Sequence, residues 1–177
     1  MPRSSSLVSN ASPLIYLAKI GELDLLKELY GAITIPVGVR DEATFGNSLD
    51  AAMIRTGIED GWISVAEEDL KGEAAALAEV AELDPGEAEA VILAKRRNAM
   101  LLVDERGAAA TARILGVQSV GTLGVLLLAV GKGRISHQRF RADVDNLVKA
   151  GFWLRADVYA RVLMAEEELL KRAGRNN

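Results

Sequence analysis

Four polar residues stand where apolar stretches give way to the next element. Asn10 follows Leu7-Val-Ser, Glu42 closes Val39-Arg-Asp-Glu, Glu87 comes just past Asp84-Pro-Gly, and Asp104 ends the run Met100-Leu-Leu-Val. Three are carboxylates and one is an amide, and all can offer oxygen to a cation. Hydrolysing a phosphodiester without a covalent intermediate needs an activated water and neutralisation of charge developing on oxygen. Two divalent ions about 3.5–4 Å apart supply both. They require carboxylates converging from different elements, because neighbours on one strand point to opposite faces. The chain has no cysteine and a single histidine, His137. That excludes disulfides, thiolate sites, multi-histidine zinc and paired-histidine mechanisms. A bound metal would therefore be a hard cation held through oxygen, Mg2+ or Mn2+.

The elements that must position these residues are short. Leu7 to Asn10 reads as a first strand, and Ser12-Pro13 opens a helix, with serine as the expected cap and proline in the first turn. A helix over 23–30 follows, then a strand Ile33-Thr-Ile35, then Pro36 turning into a helix that carries Val39 and Glu42. Residues 49–59 are helical, Trp62 to Val65 is a strand, 73–83 is an alanine-rich helix, and Asp84-Pro-Gly86 restarts a helix over 87–97. Met100 to Val103 is the strongest strand. A helix over 106–115 follows it, then a strand over 117–120, a greasy helix over 122–130, and amphipathic helices near 136–150 and 155–173. Strands alternating with helices predict a three-layer α/β/α fold around a parallel sheet of four to five short strands. Ligands of such sheets bind beyond the carboxyl ends of the strands. Asn10 and Asp104 both follow strands directly, so topology alone brings them to one edge.

The chain is long enough for one domain with a real core, 1–177, its last helices (about 136–173) packing on it or forming an interface. The Met1-Pro-Arg-Ser-Ser-Ser start lacks the apolar stretch of a secretory signal, and the eight greasy residues from Leu123 to Val130 fall short of the roughly 20 that span a bilayer. With no cysteine, the reading is a cytoplasmic protein without membrane attachment. The net charge of −4 hides an asymmetry: between Lys95 and Arg141 nine basic residues face two acids. Arg106, Arg113, Lys95, Arg96 and Arg97 are thus candidate contacts to a phosphate backbone, with solvated helix faces as the alternative.

Four segments together resemble the motifs of PIN-domain ribonucleases: Val8-Ser-Asn-Ala-Ser-Pro-Leu-Ile15, Ile35-Pro-Val-Gly-Val-Arg-Asp-Glu42, Asp84-Pro-Gly-Glu-Ala-Glu-Ala90 and Leu102-Val-Asp-Glu105. The chain is most similar to a prokaryotic branch related to VapC-type toxins, which also tends to show Gly-Thr-Leu-Gly-Val, here Gly121 to Val125. The resemblance runs from about Leu7 to Gly151. It implies a PIN-like sheet, Mg2+ or Mn2+, and cleavage of single-stranded RNA. It also implies a homodimer and a small antitoxin protein encoded alongside. Carried over by position, Asn10 stands at the first-strand acid, and Glu42, Glu87 and Asp104 at the second, third and fourth. Asn10 departs from the pattern. An amide can ligate magnesium but brings no charge and cannot act as a base.

Each residue also has a plainer role. Asn10 can be a strand-end cap on the Ser12 helix, Glu42 can be a solvated acid beside Asp41, Glu87 can stabilise a helix start, and Asp104 can cap the helix from Arg106. Ser12 and Thr122 are read first as caps, and second as holding a metal-bound water and orienting the fourth acid. Glu105 is expected to be exposed, with one residue of uncertainty in the strand end keeping it as an auxiliary candidate. Glu89 should point away from Glu87, and His137 should lie on the surface near a helix start. Three functions compete: a metal-dependent endoribonuclease of toxin type, a PIN-like module that binds RNA or a partner without cleaving, and a small α/β protein whose acids are only caps.

Overall fold

The computed structural model describes residues 6–174, so the reading of the first five residues lies outside the described part. Two compact units divide the chain after Thr122. In the first, five strands form one parallel sheet: β1 (Leu7–Ser9), β2 (Ile33–Ile35), β3 (Ile63–Val65), β4 (Met100–Leu102) and β5 (Ser119–Val120), in the order β3-β2-β1-β4-β5. The connecting helices are α1 (Ala11–Lys19), α2 (Asp24–Tyr30), α3 (Val37–Ala43), α4 (Leu49–Glu59), α5 (Lys71–Ala81), α6 (Pro85–Arg96) and α7 (Arg106–Ile114). Right-handed crossovers place the helices of the leftward steps on one face and those of the rightward steps on the other. Accordingly α1 packs on α4, while α6 packs on α5 and α7 and lies against β1 and β4. The three-layer α/β/α expectation holds, with the upper number of strands.

β1 is the centre of the sheet because it is apolar on both faces; Leu7 and Val8 are buried. It is also where the direction of winding reverses, since the chain goes from β1 to β2 on one side and β4 lies on the other. The loops leaving β1 and β4 therefore diverge to opposite faces and open a crevice at the carboxyl edge. Register sets what stands there. Ser9 pairs with Leu102, and the Asn10 N–H donates to the Leu102 carbonyl at 2.9 Å, so Asn10 is one step short of the Asp104-Glu105 pair.

Most elements lie within two residues of their expected bounds, and α4 matches at both ends. α5 starts two residues early because the Asp69 carboxylate accepts the Lys71 N–H at 3.1 Å; it ends at Glu82, whose φ of 53° breaks the helix. α1 begins one residue before Ser12, with Asn10 at the cap position, so Ser12 is inside the first turn and is not the cap.

The greasy helix α8 (Thr122–Gly131), all but its first residue in the second unit, is followed there by α9 (His137–Lys149) and α10 (Ala156–Gly174). A Cβ on Gly131 would stand 3.6 Å from Leu169, which records how closely α8 and α10 approach. Phe140, Asp143, Val144 and Leu147 form the buried stripe of α9 at helical spacing. His137 stands at the start of α9, as expected, and is partly exposed. Its Nδ1 lies 2.7 Å from the fully buried Glu166 carboxylate, which Arg141 also reaches at 2.9 Å. Burial pulls Glu166 upward, but the bonds from Arg141 and His137 prevail and hold it below the ordinary carboxylate range. Trp62 is buried, whereas Trp153 is exposed. No helix among the described residues is long and apolar enough to cross a membrane.

Candidate active site

The crevice collects acids from three elements. Glu42 comes from the last turn of α3, Glu87 from the first turn of α6, and Asp104 and Glu105 from the end of β4. Two contacts bring α3 onto the start of α6. Glu89 Oε2 accepts the Gly38 N–H at 3.0 Å, and Glu42 Oε2 lies 3.5 Å from where a Cβ on Gly86 would stand. Glu89 thus points away from Glu87, as its spacing requires, and its role is to hold the helix that presents Glu42. Glu87 turns back to accept the Asp84 N–H at 3.1 Å, the reciprocal half of a capping box that fixes the head of α6.

Asp104 does not cap the helix that follows it. Its Oδ1 accepts the Thr122 N–H at 2.8 Å and its Oδ2 accepts the Thr122 hydroxyl at 2.6 Å. Thr122, read first as a cap, takes its second expected role: from the first position of α8 it orients the fourth acid. The Val103 N–H bonded to the Val120 carbonyl at 2.9 Å sets the register that makes this grip, and Gly121 clears space for it. A Cβ on Gly121 would lie 3.0 Å from Asp104 Oδ1.

Glu105 departs from its expected exposure. It occupies the cap position of α7, yet its side chain makes no capping bond. Instead its Oε2 accepts from Asn10 Nδ2 at 3.1 Å, and its Oε1 accepts from the Ser12 hydroxyl. Asn10 is 3% exposed, and its Oδ1 is buried with no hydrogen-bond partner. A buried unpaired carbonyl costs about 1–3 kcal/mol.

The electrostatics are those of crowded anions. Partial burial, then the charges of Glu105 and Asp84, raise the pKa of Glu42. Burial, partly offset by the Asp84 N–H, raises Glu87, with Glu105, Asp84 and Glu42 adding to it. Burial raises Asp104 against the lowering effect of both Thr122 bonds, and Glu105 pushes the same way. Glu105 is the one neighbour common to all three. All donors are oxygens, and the unpaired Asn10 carbonyl adds a neutral one, a set suited to a hard divalent cation. Among the described residues, no group of three or more His, Cys, Asp or Glu side chains is already arranged to hold a metal ion. Glu42 reaches solvent and Glu87 is turned toward Asp84, as mutually repelling carboxylates should be.

The basic candidates divide. Arg106, in the first turn of α7, is exposed beside the crevice. α6 and α7 run back along the sheet, so Lys95, Arg96, Arg97 and Arg113 stand at the opposite edge, where the strands begin. Nine residues of helix between Glu87 and Arg96 amount to about 14 Å. Arg96 bonds Glu73 and Arg97 bonds Glu68 at 2.6 Å, while Lys95 and Arg97 line a polar depression of about 650 Å³ with Ser6, Asn98 and Gln118. These four do not stand beside the carboxylates. The residue that spacing undervalued is Glu105; its one available signal was its place next to Asp104 at a strand end.

A model of the family described as DUF3368, PIN domain, matches residues 6–168. Among solved structures, the crystal structure of PAE2754 from Pyrobaculum aerophilum is similar in fold, with a TM-score of 0.52 and 16% identity, over 69% of this chain and 93% of that one. No curated protein matches the chain.

Proposed function

The chain belongs to the PIN domain family, whose members are generally nucleases, and from that premise we propose that it is a metal-dependent endoribonuclease acting on single-stranded RNA. The observation that carries the reading is that Glu105, bonded to Asn10 Nδ2, is the charged neighbour shared by Glu42, Glu87 and Asp104, while the Oδ1 of Asn10 is buried and unpartnered. Asn10, Glu42, Glu87 and Asp104 would hold Mg2+ or Mn2+. When bound, such an ion supplies charge neutralisation and a lowered pKa for the attacking water. Glu42, whose pKa is raised by partial burial and then by the charges of Glu105 and Asp84, would be the carboxylate placed to take up a proton there. Thr122 holds Asp104 fixed through both oxygens, and Arg106 on the rim meets the phosphate. The resemblance to VapC-type toxins extends the proposal to a cytoplasmic homodimer paired with a small antitoxin.

The test is a manganese titration followed by calorimetry, with cleavage of labelled single-stranded RNA in parallel. Asp104→Asn should lower the cleavage rate by about a hundredfold or more. An unchanged rate refutes the assignment. A second reading is favoured by one observation, the amide at Asn10: a PIN-like module that grips RNA and does not cut. It predicts salt-sensitive RNA retention without metal and no cleavage by the unaltered chain.

A further inference from the structure

We infer that Glu105 is the fourth carboxylate of the site, supplying from the end of β4 the charge that Asn10 does not carry at the end of β1. The inference rests on the metal-dependent reading above and goes beyond it, because that reading leaves the cage one charge short.

Three independent features support it. Glu105 leaves the backbone at the cap position of α7, where an acid would ordinarily fold back onto the helix N–H groups. It makes no such bond and reaches across the crevice to α1. Its two oxygens are each held by a neutral donor, Asn10 Nδ2 at 3.1 Å and the Ser12 hydroxyl, so each keeps a lone pair for a cation. Its charge also acts on Glu42, Glu87 and Asp104 alike, whereas Asp104 is gripped through both oxygens by Thr122. Ser12, expected as a helix cap, then acts as a positioning residue that aims Glu105.

Asn10 and Glu105 are in this account a matched pair. The amide presents its N–H2 to Glu105 and leaves its Oδ1 buried and unpartnered. An aspartate at position 10 would place a carboxylate oxygen about where Nδ2 stands, against the Glu105 charge. Restoring the acid usual at the first strand is therefore not a repair by itself. The neutral pair and the charge can be exchanged between the two positions, but not doubled.

The experiment uses the full chain with four substitutions, Glu105→Gln, Glu105→Asp, Asn10→Asp, and Asn10→Asp with Glu105→Gln together. Mn2+ binding is read by calorimetry and by the electron paramagnetic resonance signal of free manganese, with circular dichroism and a melt to establish folding. Glu105→Gln should weaken Mn2+ binding about tenfold or more, since affinity for such ions follows ligand charge. Glu105→Asp, which keeps the charge, should lose less. Asn10→Asp should melt lower than the parent without metal and gain more from Mn2+. The double variant should recover most of the affinity lost in Glu105→Gln. A folded Glu105→Gln variant with parental Mn2+ affinity overturns the inference while leaving the metal-dependent reading intact. A double variant no better than Glu105→Gln also overturns it. Absence of saturable Mn2+ binding by the parent chain overturns both.

Discussion

Replacing Thr122 with valine removes one hydroxyl from a residue that is 0% exposed and leaves the Asp104 carboxylate with half of its anchorage. The lost bond, 2.6 Å from hydroxyl to carboxylate, is in the range of strong charge-assisted contacts. Hydrogen bonds to charged groups contribute about 1.5–3 kcal/mol, and the added methyl returns up to about 0.8 kcal/mol by burial. The net cost should be about 1–2 kcal/mol at neutral pH, a fall of roughly 2–8 °C in melting temperature for a chain of this size. The cost should depend on pH. The hydroxyl stabilises the ionised form of Asp104, whose pKa burial has already raised, and its removal raises that pKa further. The difference between variant and parent is therefore complete above the variant's further-raised pKa and shrinks as pH falls from there through the parent's. Urea unfolding of both proteins at about pH 7 and about pH 3 measures this, the two lying on either side of the ordinary carboxylate values near 4. A loss below about 0.5 kcal/mol, ordinary for a substitution that touches nothing, or a loss independent of pH, refutes the anchoring of Asp104 by Thr122.

Two further predictions come from the same geometry. Glu87 has a pKa raised by burial and by neighbouring acids, so the folded chain binds its proton more tightly than the unfolded chain does. Its charge then destabilises the metal-free fold increasingly as pH rises from the ordinary glutamate value through the raised one. Glu87→Gln, which can keep the capping bond, should gain stability relative to the parent across that window. A pH series of melts without metal checks the direction, and a relative loss would contradict it. For nucleic acid, Arg106→Glu should weaken single-stranded RNA binding and reduce the steepness of its salt dependence by about 0.7 or more per lost phosphate contact. Arg113→Glu should do far less, since it lies at the far end of α7; the reverse order in a filter-binding series would move the RNA path to the other edge.

What the sequence makes legible follows from what is local. The apolar runs at Leu7 and Met100 end sharply in polar residues, so the strands and the edge they share can be read, and with them the meeting of Asn10 and Asp104. The direction taken by Glu105 cannot be read in this way. Whether residue 104 or 105 faces the first strand depends on one backbone turn at the cap of α7, where ψ is 128°. Ser12 is not the cap its sequence suggests because α1 starts one residue before it, which frees the hydroxyl to reach across the crevice. The basic third of the chain is legible as charge and not as position. Helix length alone would have separated Lys95, Arg96 and Arg97 from Glu87. Glu89's bond to Gly38 joins residues 51 apart, a relation that no periodicity carries.

The grip of Thr122 on Asp104, with Gly121 cleared to admit it, sets a requirement on anyone who would move this centre to another scaffold. Transplanting the three acid-bearing segments and the Asn10 segment would omit a residue 18 positions beyond Asp104 that contributes no acid yet fixes both oxygens of one. A side chain larger than hydrogen at position 121 would meet that carboxylate at 3.0 Å. The smallest portable version of the site is therefore the sheet edge together with the Gly121-Thr122 step after β5, and a graft without that step would carry the charges and leave one of them unaimed.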